Sequence, residues 1–212
     1  MLIFFIAIAI AYQLVKPPVK LKIYNPADIN PELVDTSVQD VGRKHRIADF
    51  ELINQDGKIV TQKDFEGVIY VADFFFTTCR SICPKMSTQM QRVYEEFKDN
   101  EHIMLLSHTV YPEIDSVPVL AEYAKKYNAN SKKWMLVTGD KKHIYELARK
   151  SYFAITTEGS GDEDDFIHTE NFILIDKKKR IRGFYDGTSP EDVDRLIEEI
   201  KILQGEYDKP HD

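Results

Sequence analysis

Cysteine is nearly absent from this chain: its 212 residues hold two, Cys79 and Cys83. Two thiols cannot build a disulfide framework, and alone they are too few for a structural zinc site. An excess of basic charge is missing as well. The formal net charge is -7 at pH 7, which excludes a nucleic acid or other polyanion as partner, because phosphate binding needs a concentrated basic face. The one basic cluster, Lys177-Lys178-Lys179-Arg180, sits between two apolar stretches and reads as a hairpin turn. Internal repeats and low-complexity tracts are absent. So is an apolar run that crosses a bilayer outright. Residues 2–15 are apolar except for Tyr12 and Gln13, and at ~1.5 Å rise per residue they reach about 21 Å, short of the ~30 Å hydrocarbon core. No small-residue cleavage site succeeds them. Residues 1–15 are therefore expected to be a hydrophobic membrane anchor or signal segment. Lys16, Lys20 and Lys22 lie on its C-terminal flank, so a positive-inside count taken alone puts the rest of the chain in the cytoplasm.

What the chain does contain is an ordinary globular composition: 43% hydrophobic, 30% charged and 11% aromatic residues, enough for one domain with a sizeable core. Residues 16–46, with Pro17, Pro18, Pro26 and Pro31, lack periodicity and read as a tether. Residues 47–206 form the expected domain, and 207–212 a tail. Within the domain, residues 50–60 read as a hairpin turned at Asp56-Gly57. Residues 68–76 are a near-continuous apolar run, the mark of a strand buried on both faces. Met86, Met90, Val93 and Phe97 fall at helical spacing over residues 85–99. Strand 103–107, helix 117–127, strand 134–137 and a helix capped by Asp140 and running through 148 come next. Residues 167–175 and 180–185 pair around the lysine turn. Ser189-Pro190-Glu191 opens a last helix with one apolar stripe: Val193, Leu196, Ile197, Ile200 and Leu203. Alternating strands and helices, then a hairpin and a closing helix, give an α/β class. The expected architecture is a central mixed sheet with helices on both faces, in the thioredoxin-like layout.

The two cysteines lie in Phe76-Thr77-Thr78-Cys79-Arg80-Ser81-Ile82-Cys83-Pro84, at a strand-to-helix turn. Residues i and i+4 of a helical turn share a face, so both sulfurs can meet beside a helix N-terminus that favours thiolates. Such a pair suits either metal capture or disulfide exchange. Two thiolates favour a soft metal, with copper the natural candidate. Two thiolates with Cu(I) leave one net negative charge and with Cu(II) none, so a neutral histidine can complete either set. Of the six histidines, His45, His102, His143 and His211 fall in polar or terminal stretches and are expected to be solvated. His108 ends a strand near the cysteine turn. His168 comes after the acidic loop Asp162-Glu163-Asp164-Asp165 and opens a strand that this layout can return beside the cysteines. Asp73, at the end of a buried strand, needs a partner or exposure and is a candidate outer-shell group. Met86 and Met90 offer thioethers, but their spacing makes them core.

Val71-Ala72-Asp73-Phe74-Phe75-Phe76-Thr77-Thr78-Cys79, then Ile82-Cys83-Pro84-Lys85-Met86, resembles the copper-site segment of the SCO1/SenC family of cytochrome c oxidase assembly factors. Asp165-Phe166-Ile167-His168-Thr169 and Phe172-Ile173-Leu174-Ile175-Asp176 resemble that family's histidine strand. The likeness runs over residues 47–203. It implies copper held by Cys79, Cys83 and His168, in a thioredoxin-like domain anchored on the extracytoplasmic, periplasmic side of the cell membrane. It also implies a copper donor upstream and oxidase subunit II downstream. The task is then assembly of that subunit's CuA centre, by copper delivery or by thiol–disulfide reduction of its cysteines through a redox-active Cys79/Cys83 pair. A copper or redox sensor acting through a partner is the remaining alternative. This chain departs from many members in carrying Arg80 directly after the first cysteine, where a proline is common. The added positive charge is expected to favour thiolate.

Overall fold

Asp56-Gly57 turns the chain as its composition predicts. Gly57 sits at φ +74°, a conformation open to glycine, and folds strand β1 (Glu51–Asn54) onto β2 (Ile59–Thr61) in an antiparallel pair. The computed structural model of the chain describes residues 20–29, 44–154 and 169–208. The apolar run becomes strand β3 (Ile69–Phe75), buried at every position. It is followed by helix α1 (Cys83–Phe97), strand β4 (Ile103–Thr109), helix α2 (Val117–Lys126) and strand β5 (Trp134–Thr138). Helix α3 (Lys141–Glu146) is capped by the Asp140 carboxylate, which accepts the His143 N–H at 2.8 Å. It widens into a π-helical turn, Leu147–Ser151, where the sequence reading has a plain helix ending at 148. Strands β6 (Asn171–Ile175) and β7 (Ile181–Asp186) and helix α4 (Pro190–Asp208) complete the order.

These strands form one seven-stranded mixed sheet in the order β2-β1-β5-β4-β3-β6-β7. The parallel core β3, β4 and β5 is flanked by antiparallel neighbours. Pleating sends alternate residues of β3 to opposite faces. Ile69, Val71 and Phe75 pack on α1, α2 and α4, through Met86, Met90, Val93, Leu120, Leu196 and Ile200. Tyr70, Ala72 and Phe74 pack on the other side against Ile144, Ala148 and Tyr152. Helices therefore cover both faces, and Cys83 belongs to the core under α1. The lysine run is the β6–β7 turn: the Asp176 carboxylate accepts the N–H of Lys178 (2.8 Å) and of Arg180 (3.0 Å).

Residues 20–29, expected within the tether, lie against the edge of the sheet. Tyr24 bridges to Ile181, its N–H donating to the Ile181 carbonyl at 2.9 Å, and Pro26 is buried. Arg182, nearly inaccessible, donates to the backbone carbonyls of Leu21 (2.8 Å) and Lys22 (3.1 Å) and pairs with Asp176 and Glu206. The edge strand has free backbone groups to satisfy, and this segment satisfies some of them. α4 runs two residues past the expected domain end, so Tyr207, placed in the tail, packs beside Arg180. Among the described residues no helix is long and apolar enough to cross a membrane; the hydrophobic segment 1–15 lies outside them.

Candidate metal centre

After β3 the chain makes a tight turn in which the Phe76 carbonyl accepts the Cys79 N–H at 3.3 Å. α1 begins at Cys83 itself, two residues earlier than the periodicity predicts. Pro84 fits there, because a first-turn residue has no helical use for an N–H. The Cys83 N–H is one of the helix's unpaired donors, and it points at the Cys79 sulfur, 3.4 Å away. Ser81 Oγ lies 3.7 Å from the same sulfur. Both thiols are free; Cys79 is half-buried and Cys83 buried.

Their environments separate the two acidities. Burial pushes the Cys79 thiol up, but the N–H groups of Cys83 and Ser81, with the side chains of the same residues, outweigh it and hold the thiol at about 7. Burial pushes Cys83 up to about 12; the Phe76 N–H opposes this, and Cys79 and Asp73 reinforce it. Backbone donors at the helix start, rather than the exposed Arg80, therefore make the thiolate. At neutral pH, Cys79 is the accessible nucleophile and Cys83 a protonated partner behind it.

Asp73 lies on the α1 face of β3, opposite Ser107 of β4. It is buried, and its Oδ1 has no hydrogen-bond partner among the described residues. Burial pushes its carboxyl up to about 7, against the Ser107 hydroxyl, which in turn accepts the Trp134 Nε1–H at 2.9 Å. Pleating turns His108 to the opposite face, where it stacks on Phe74 with ring centroids 4.7 Å apart and is fully buried. It cannot reach the sulfurs. His45, expected to be solvated, is buried: its Nε2 lies 2.7 Å from the Ser151 carbonyl at the end of the π turn. His102 is exposed and His143 half-buried. Met86 and Met90 are fully buried core. Among the described residues no group of three His, Cys, Asp or Glu side chains assembles as a metal site. His168 lies outside the described residues. Sequence reading passed over Asp115, whose carboxylate joins the β4–α2 loop to Thr77; a single aspartate in a polar loop carries no signal of that role.

A mixed sheet with a parallel core, and a dithiol at the N-terminus of the first long helix, defines a thioredoxin-like dithiol protein. The particular family emerges from comparison with known proteins. The chain belongs to the SCO1/SenC family, whose profile matches residues 38–204. Among similar solved structures is a SCO1/SenC family lipoprotein from Bacillus anthracis, 28% identical with a TM-score of 0.67 over 76% of this chain and 95% of that one. BsSco, described as a Sco-family cytochrome c oxidase assembly protein with a disulfide switch, is 32% identical at 0.64, over 75% and 93%. Arabidopsis thaliana ScoI with copper bound is 26% identical at 0.59, over 74% and 98%.

Proposed function

We propose that this protein is a membrane-anchored copper metallochaperone that helps assemble the CuA centre of cytochrome c oxidase subunit II. Its cargo is copper, bound as Cu(I), Cu(II) or both through Cys79, Cys83 and His168. The observation that carries the reading is the dithiol at the α1 N-terminus: one sulfur is poised as thiolate near neutral pH and the second lies directly behind it. Two adjacent sulfurs match a soft ion, and copper stands in the related ScoI structure. A half-buried, three-ligand site releases its ion stepwise as an acceptor's ligands enter. Asp73 acts from beneath Cys83 as an outer-shell group that sets the charge around that sulfur. The domain works on the extracytoplasmic side, held by residues 1–15. The lipoprotein character of the Bacillus anthracis relative supports a membrane-attached, outward-facing domain, and a copper donor precedes the protein in the sequence of transfer.

The split acidities favour a second reading, thiol–disulfide exchange. Here the Cys79 thiolate attacks a disulfide of subunit II or another exported protein. Cys83 then closes the Cys79–Cys83 bond and releases the substrate as a dithiol, two electrons and two protons passing to it. Copper titration of the reduced protein and of His168→Ala separates the two. The carrier reading expects at least about a tenfold loss of affinity in H168A, or about 1.4 kcal/mol, with a changed thiolate-to-copper absorption band. Unaltered affinity and absorption in H168A would refute the three-ligand set. Rapid reduction of insulin disulfides with negligible copper uptake transfers the role to exchange.

A further inference from the structure

Asp115 is fully buried in the loop between β4 and α2, one residue before the Ser116 cap of α2. Its carboxylate takes three uncharged donors: the Thr77 N–H at 3.1 Å, the Thr77 hydroxyl and the Thr109 hydroxyl. Thr109 ends β4, and Thr77 stands two residues past β3, at the head of the cysteine turn. The residue before Thr77 is Phe76, and both sulfurs depend on it. Its carbonyl holds the Cys79 N–H, and its own N–H is directed at the Cys83 sulfur. Whatever fixes the Phe76–Thr77 peptide therefore fixes the spacing of the two thiols.

We propose that Asp115 is a positioning residue of the dithiol site, acting through Thr77 to hold the Cys79 turn at the separation from Cys83 that the working pair needs. Anchoring by a carboxylate suits this task. It takes the N–H and hydroxyl of one residue together, so Thr77 can neither rotate nor slide along the turn. A neutral loop contact at one atom leaves that freedom. The same bonds tie the β4–α2 loop to the turn, so the loop and the dithiol move as one body. This inference rests on Cys79 and Cys83 being the working pair. It is tested without copper, so it stands or falls apart from the carrier reading.

The test is the equilibrium of the full-length protein with glutathione, in which oxidised glutathione closes the Cys79–Cys83 bond and leaves as two reduced molecules. Asp115→Ala is expected to shift that equilibrium constant by about tenfold, corresponding to ~30 mV. Asp115→Asn, which keeps one acceptor oxygen, restores it part of the way. Thr77→Val removes only the Thr77 hydroxyl bond and is expected to shift it about threefold. Arg182→Ala, remote from the turn, lowers the melting temperature and leaves the constant unchanged. If D115A, D115N and T77V each lower the melting temperature while the constant stays within twofold of wild type, Asp115 is a loop fastener and the proposal is overturned. Should D115A fail to fold, D115N and T77V decide by the same criterion.

Discussion

Asp73 and His108 are buried on opposite faces of neighbouring strands, and their proton equilibria pull stability in opposite directions. Burial holds His108 at about 4 in the fold, against 6.5 in the open chain. As pH falls from 6.5 towards 4, the unfolded state takes up the proton first and the native state loses stability. Asp73 is held at about 7 against its ordinary 3.8. As pH rises from 3.8 to 7, the unfolded chain releases that proton while the fold retains it, so the native state is penalised, fully so above 7. Asp73→Asn removes this penalty. It is expected to gain at most about 4 kcal/mol at pH 8 relative to its effect at pH 4. Urea unfolding of both proteins at the two pH values measures the difference, and a pH-independent cost of the buried amide cancels. A difference near zero would mean that Asp73 ionises freely in the fold. The aspartate's place six residues before Cys79 was legible in the sequence. That one of its oxygens is buried without a partner was not, because it depends on which β4 side chain pairs across from it.

At the scale of elements, α1 joins core and site in one helix. Met86, Met90, Val93 and Phe97 form the stripe that seats it on β3, and this seating fixes where its N-terminal N–H groups point. Periodicity identified the stripe. It misplaced the start of the helix, because the first turn holds Cys83 and Pro84, which have no apolar rhythm. Since Met90 is core rather than ligand, Met90→Leu should cost under about 1.5 kcal/mol and leave copper stoichiometry unchanged. Met90→Ala should cost about 2–5 kcal/mol. Denaturation midpoints with parallel copper titrations check both; a lost copper equivalent in M90L would make the thioether a ligand after all. The π turn after α3 had no sequence signature. In it the Tyr152 N–H reaches back five residues to the Leu147 carbonyl at 2.9 Å, and the Ser151 carbonyl and hydroxyl at its end meet His45 and the Ala48 N–H.

At the scale of the whole molecule, Arg182 links β7, the β6–β7 turn, α4 and residues 21–22 through one guanidinium. Removing it leaves Glu206 with the Leu21 N–H but no cation in contact and takes one of two guanidinium partners from Asp176, so Arg182→Ala is expected to cost about 3 kcal/mol. It should also release the docked backbone around the exposed Lys20 and Lys22 for cleavage by trypsin, which a proteolysis time course reads; unchanged cleavage would mean that Leu21, Tyr24 and Pro26 hold the segment without it. The amino-acid sequence by itself determined the alternation of strands and helices, the buried central strand, the dithiol at a strand-to-helix turn and the family resemblance. All of these are set by spacing along the chain and by the chemistry of single residues. Only the tertiary structure decided that Cys79 and Cys83 differ in acidity, that His108 faces away, that Asp115 grips Thr77 and that residues 20–29 lie on the sheet edge. Each of these depends on burial and on hydrogen bonds between residues distant in sequence, and neither can be read from order alone.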